Sequence, residues 1–136
     1  MLIPKKTKYR YPHRWKYEGH AKGNRNVSWG QFGLQTQQGS YITNNQIEAA
    51  RKVISKFVKK VGKMRINIFP HLARTKKPLE VRMGSGKGSV DSWVAVAKQD
   101  TVIFEVSELP KDIAYKALTA ASYKLPIKCK VVEKNI

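Results

Sequence analysis

Few side chains in this sequence are spaced for catalysis. Six of its nine carboxylates fall within residues 91–136, at positions that read as surface. His13, His20 and His71 have no obvious Asp or Cys partner in sequence, so each reads as a surface or partner-facing histidine rather than a general base. Without a carboxylate cluster they make a poor metal site, and no metal is expected. The single cysteine, Cys129, excludes an internal disulfide and a cysteine-built zinc site. It sits in a strand pattern and reads as a small buried hydrophobe. The segment Arg82-Met83-Gly84-Ser85-Gly86-Lys87-Gly88-Ser89 invites a phosphate-loop reading and fails it. The nucleotide motif needs Gly where Val81 stands and Ser or Thr where Gly88 stands. A dinucleotide fingerprint needs Gly where Ser89 stands. What remains is a bare loop whose backbone can approach another surface closely and offer N–H groups to phosphates without a fixed motif. An enzyme acting on a phosphorylated substrate would require Lys87 for turnover, and the sequence supplies no base for one. No cofactor is expected.

Charge carries the chemistry instead. The 136 residues hold 27 Lys and Arg against nine Asp and Glu, a formal net charge of +18. Residues 91–136 hold seven basic and six acidic groups, so +17 of the +18 lies in the first 90 residues. Self-repulsion of that size destabilises a small domain unless a polyanion neutralises it. Within residues 1–40, Lys5, Lys6, Lys8, Arg10, Arg14, Lys16, Lys22 and Arg25 are interleaved with Tyr9, Tyr11, Trp15, Tyr17, Trp29 and Phe32. Cations meet phosphates, and rings stack on exposed bases or pack on the domain. Trp29, Phe32 and Leu34 fit equally an ordinary strand folded onto the core. The apolar runs are too short for a membrane-spanning helix, and Met1-Leu2-Ile3-Pro4-Lys5-Lys6 lacks the apolar stretch of a secretory signal.

The elements that would position these groups follow from periodicity. Thr43-Asn44-Asn45-Gln46 fits a capping box. Ile47, Ala50, Ile54, Phe57 and Val61 follow at helical spacing, widened by Val53 and Val58, and Gly62 is the expected stop. The opposite face, with Arg51, Lys52, Ser55, Lys56, Lys59 and Lys60, forms a cationic ridge. A basic amphipathic helix could instead lie on an anionic membrane, but the rest of the chain offers no comparable apolar face. Met64–Phe69 alternates as a half-buried strand ending at Pro70. Trp93–Ala97 and Val102–Val106 read as two strands of a hairpin joined by Lys98–Thr101. Pro110 opens a second helix with the stripe Ile113, Ala117, Leu118, Ala121 and Leu125, ended by Pro126, and Ile127–Val132 reads as a last, edge strand. The expected fold class is α+β, two helices packed on a mainly antiparallel sheet. Residues 1–40 read as a basic extended segment partly packed on the core, and 41–136 as the core domain carrying a basic, glycine-rich loop at 71–90.

These pieces together resemble the bacterial-type large ribosomal subunit protein sixteen family. The resemblance rests on Met1-Leu2-Ile3-Pro4-Lys5-Lys6-Thr7-Lys8-Tyr9-Arg10 with His13 after it, and on Gly30-Gln31-Phe32-Gly33-Leu34. It continues through Gln46-Ile47-Glu48-Ala49-Ala50-Arg51, Ile68-Phe69-Pro70, Lys77-Pro78 and Val81-Arg82-Met83-Gly84-Ser85-Gly86-Lys87-Gly88. Trp93-Val94-Ala95 and Lys124-Leu125-Pro126-Ile127-Lys128 complete it, in the family's order and over nearly the whole chain.

The resemblance implies a structural ribosomal protein that binds large-subunit ribosomal RNA, helps form the aminoacyl-tRNA site and touches the tRNA there, with peptidyl-site tRNA as a further contact. It implies neighbouring large-subunit proteins as partners, no membrane, no homo-oligomer, and a place in the large subunit of a bacterial or organellar ribosome. The ribosomal RNA contacts would be Lys5, Lys6, Lys8, Arg10, His13, Arg14, Lys16, Lys22, Arg25, Lys76, Lys77, Arg82 and Lys87. Those facing tRNA would be Arg51, Lys52, Lys56, Lys59 and Arg82. The arginine matching Arg82 is hydroxylated in some members, which makes Arg82 a candidate for that modification. The chain departs from the pattern at Arg65 and Asn67, where many members have Trp and Arg, and at Lys6 and Lys52, where several have Arg. Lysine keeps the phosphate contact but not the bidentate fork of arginine. The rival reading is a free-standing basic nucleic-acid-binding protein, an RNA chaperone or chromatin-like module, which would bind duplex DNA as well as folded ribosomal RNA.

Overall fold

The computed structural model describes residues 3, 18–23, 25–58, 62–76 and 89–134, with the backbone alone for 74–76 and 89–92. Among the described residues, seven strands and two helices run in the order β1 (Phe32–Thr36), β2 (Ser40–Thr43), α1 (Asn44–Val58), β3 (Lys63–Ile66), β4 (Leu72–Lys76), β5 (Ser89–Ala97), β6 (Val102–Ser107), α2 (Lys111–Ser122) and β7 (Cys129–Glu133). The strands form two antiparallel sheets, ordered β3-β6-β1-β7 and β2-β5-β4. The two helices pack against each other; α1 also touches β2, β3 and β5, and α2 touches β1 and β7. The α+β class read from the sequence is the class observed, with the sheet divided in two.

α1 begins as its capping box dictates. The Thr43 hydroxyl accepts from the Gln46 backbone N–H at 3.2 Å, and the Gln46 side chain accepts from the Thr43 N–H at 2.9 Å. Ile47, Ala50, Ile54 and Val58 are buried, and the Gly62 N–H donates to the Val58 carbonyl at 3.1 Å. A Cβ at Gly62 would stand 2.7 Å from Leu109 Cγ, so any larger residue there forces Leu109 or the chain to shift. Phe57 is 39 % exposed rather than core, because Val58 takes the inward position at the end of the stripe. In α2 the inward positions are Ala114, Ala117, Leu118 and Ala121. Ile113, expected in the stripe, sits on its flank at 39 % exposure. Three alanines at these inward positions are small enough to let a neighbouring backbone approach closely.

The expected β5–β6 hairpin does not form: the two strands lie in different sheets. The link between them is braced by β1 instead. The Thr36 N–H donates to the Thr101 carbonyl at 2.8 Å, and the Asp100 N–H donates to the Thr36 carbonyl at 3.0 Å. The buried Thr36 hydroxyl donates to the Lys98 carbonyl at 2.9 Å and accepts from the Thr101 N–H at 3.1 Å. Asp100 turns the chain with φ +74°, a conformation that Asp tolerates better than most residues. β3 likewise stops at Ile66, short of the expected Phe69, because the chain leaves one sheet there and passes the buried Pro70 to enter β4 in the other.

β1 lies between β6 and β7, with Leu34 fully buried and Phe32 edge-on to Tyr115 of α2, ring centroids 5.9 Å apart. The strand reading therefore holds for Phe32 and Leu34, whereas Trp29 precedes the strand and is 39 % exposed. β7 is an edge strand, as its lysines suggest. Leu34, Ile103, Phe104, Val106, Ile47, Ile54 and Leu118 belong to one core shared by both helices and both sheets, the second sheet adding Ile42, Ala95 and Ala97.

Candidate nucleic-acid interface

Two elements of the described chain carry basic residues of the expected contact set, with the backbone alone described at Lys76. On α1, burial of Ile47, Ala50, Ile54 and Val58 turns Lys52 and Lys56 outward, and both are exposed. Arg51 flanks them and is half-buried, with its Nε donating to Glu48 at 3.0 Å and a terminal nitrogen donating to the same oxygen. The Arg51 hydrogen bond holds the Glu48 carboxyl below its ordinary value, and the same bond raises Arg51. Arg51 thus enters the ridge already oriented, with part of its charge answered inside the helix. Lys59 lies outside the described residues.

The second element is a ribbon made by β4 and β5. Leu72 pairs with Val94, Thr75 with Val90 and Lys76 with Ser89, with a bulge between Arg74 and Thr75. Strand therefore occupies 72–76 and begins again at Ser89, inside the stretch that sequence assigned to loop. Leu72, at the end of the ribbon opposite Val94, is buried. Lys76 is its last paired residue on β4, whereas Lys77, Arg82 and Lys87 lie outside the described residues.

Of the expected N-terminal contacts, Lys22 and Arg25 are described and exposed; Lys5, Lys6, Lys8, Arg10, His13, Arg14 and Lys16 lie outside. Arg25 is not a bare cation, since it lies 3.3 Å from Asp100 Oδ2, the same oxygen that His20 Nδ1 meets at 2.8 Å. The His20 hydrogen bond holds the Asp100 carboxyl below its ordinary value. Sequence offered no partner for His20, because the one it has lies 80 residues away.

Sequence also placed the C-terminal carboxylates at the surface, and Glu105 overturns that. It is fully buried on β6. Its Oε1 accepts from the backbone N–H groups of Ser28, Trp29 and Gly30 at 2.8, 3.0 and 3.4 Å, and Oε2 accepts from the Asn67 side chain at 2.6 Å. Burial pushes this carboxyl up, but the Asn67 amide and the three N–H groups outweigh it and hold it below the ordinary range. Gly30 is required, since a Cβ there would stand 2.5 Å from the Val106 carbonyl oxygen. Backbone donors are anonymous in a sequence; the only signal was a charged residue in the middle of an apolar strand.

Burial pushes the Cys129 thiol up to about 11, so it stays protonated at neutral pH. Among the described residues no three His, Cys, Asp or Glu side chains group as a metal site, and no helix is long and apolar enough to cross a membrane. An open groove on the outer face of α2, about 350 Å³, is lined by Tyr115, Lys116, Thr119, Ala120 and Tyr123, with no carboxylate, histidine or thiol among them.

Comparison with known proteins decides the family. The family described as ribosomal protein L16p/L10e matches residues 4–132. The chain belongs to the ribosomal protein L16p/L10e family. It is 59 % identical over 135 residues to the large ribosomal subunit protein uL16 of Spiroplasma kunkelii, covering 99 % of this chain and 98 % of the relative. The protein of the same name from Spiroplasma citri matches equally, and that of Malacoplasma penetrans is 58 % identical over 99 % of this chain and 96 % of its own length. The L16p/L10e family is one of ribosomal proteins.

Proposed function

We propose that this L16p/L10e protein is a structural component of the large ribosomal subunit that binds large-subunit ribosomal RNA and forms part of the wall of the aminoacyl-tRNA site. The observation that carries the reading is α1: one face is sealed into the core while the opposite face holds Lys52 and Lys56 free in solvent, on a chain of net charge +18. In this reading Lys5, Lys6, Lys8, Arg10, His13, Arg14 and Lys16 run among close-packed phosphates, with Tyr9, Tyr11 and Trp15 stacking between them. Lys22, Arg25, Lys76, Lys77, Arg82 and Lys87 extend the ribosomal RNA contact, and Arg82 is the candidate for hydroxylation. Arg51, Lys52, Lys56, Lys59 and Arg82 face tRNA, and neighbouring large-subunit proteins complete the surroundings.

Each neutralised phosphate releases counterion, so affinity must fall steeply with salt. With about 6–10 phosphates contacted, affinity for large-subunit ribosomal RNA drops roughly 10³–10⁵-fold between about 50 and 200 mM salt. Filter binding across that range checks it. A salt-insensitive affinity contradicts the reading, and equal affinity for duplex DNA replaces it with a free-standing nucleic-acid-binding protein.

A further inference from the structure

We propose that Asp100 is a positioning residue for RNA capture, which anchors the root of the basic N-terminal segment to the core at the junction of the two sheets. The inference rests on the RNA-binding reading above and deepens it. Residues 19–21 run alongside Gln99: the Ala21 N–H donates to the Gln99 carbonyl at 2.8 Å, and the Gln99 N–H donates to the Gly19 carbonyl at 3.3 Å. The Asp100 carboxylate then gathers His20 and Arg25 onto one oxygen, at 2.8 and 3.3 Å. From β1, the Gln35 side-chain amide donates to the carbonyls of both Arg25 and Asp100, at 2.9 and 3.0 Å. Three kinds of tie thus meet at two adjacent residues, the backbone pairing at Gln99 and the carboxylate and Gln35 contacts at Asp100, and the Asp100 N–H is itself held by the Thr36 carbonyl of β1. Residues 4–17, with six Lys and Arg, lie immediately before the anchored stretch in sequence.

An acid beside cations in an RNA-binding protein has two opposed effects. By Coulomb's law alone its removal tightens binding to a polyanion. As an anchor, its removal loosens the segment, and the RNA must then supply the ordering that the protein had already done. The sign of the change separates the two.

The test uses the full-length chain. Asp100→Asn keeps a residue type that tolerates φ +74° and removes the charge. Glu18→Gln is the control, a charge removed from the same exposed segment that meets no partner among the described residues. Affinity is measured on deproteinised large-subunit ribosomal RNA with excess poly(U) competitor, beside the rate of tryptic cleavage after Lys22 and Arg25 and a thermal melt. The anchor predicts that Asp100→Asn binds about three- to tenfold more weakly, with faster cleavage at both sites and an unchanged melt, while Glu18→Gln binds as well as the parent or better. His20→Ala changes both readouts in the same direction by less, and it carries the test if Asp100→Asn does not fold. Tighter binding by Asp100→Asn, or unchanged cleavage, overturns the proposal. A parent chain that shows no preference for the ribosomal RNA over poly(U) overturns the functional reading, and the positioning role falls with it.

Discussion

The first 90 residues and the last 46 share one core but differ in charge. The first part carries +17 of the net charge, and the second is nearly neutral. The second part supplies the fully buried Val102, Ile103, Phe104 and Val106 of β6, which pairs with β3 on one side and β1 on the other. The first supplies the exposed Lys52 and Lys56. The division is not clean, and its exceptions are instructive. Two acids of the near-neutral part, Asp100 and Glu105, reach back across 75 or more residues to hold the segment between His20 and Gly30. Acids in this protein therefore do not merely lower its charge; they fix where the cationic part leaves the core.

Substitutions that break the comparison can be ordered by their effect on stability. Phe104→Ala removes a fully buried ring from β6 and is expected to cost about 3–5 kcal/mol. RNA binding is then lost through unfolding, and chemical denaturation followed by fluorescence reads it.

Glu105→Ala leaves three backbone N–H groups and the Asn67 amide without their acceptor, at a cost of roughly 2–4 kcal/mol. The same carboxyl gives the fold an acid limit. Its proton is released more readily in the folded chain than at the ordinary value of 4.5, so the unfolded chain binds the extra proton as pH falls. Its contribution is complete above 4.5 and is lost as pH falls through the lower folded value. Melting temperature plotted against pH should fall in that acid window for the parent, and Glu105→Gln should flatten part of the slope. A parent curve with no such fall removes this role.

The smallest effect on stability and the largest on binding belong to Lys52→Ala with Lys56→Ala. Both side chains are exposed, so stability should stay within about 0.5 kcal/mol. The slope of log affinity against log salt should become shallower by about two. A double variant that melts early, or that keeps the parent slope, would erase the distinction between a packing face and a contacting face on α1.

The local features of the fold were legible in the sequence and the long-range ones were not. The Thr43–Gln46 box, the Ile47-Ala50-Ile54 face and the alternation around Met64 all express spacing within a few residues, and spacing is what a sequence displays. The partition of strands between two sheets depends on pairings such as Thr36 with the 98–101 link, which leave no local mark, so a short polar connection passed for a hairpin turn. The end of β3 at Ile66 and the start of β5 at Ser89 were blurred for the same reason. Site electrostatics divided likewise. The excess of Lys and Arg was plain, but the partners of Arg25, His20 and Glu105 come from chain segments that only folding brings together. The family resemblance read from motifs agrees with the L16p/L10e match over residues 4–132.

The central claim is tested most directly by sedimenting a native cell extract through a sucrose gradient and locating this chain by immunodetection. The account predicts that it travels with the large ribosomal subunit and stays there through a moderate salt wash. Its recovery in the slow, unbound fractions, or with DNA, would contradict the ribosomal role.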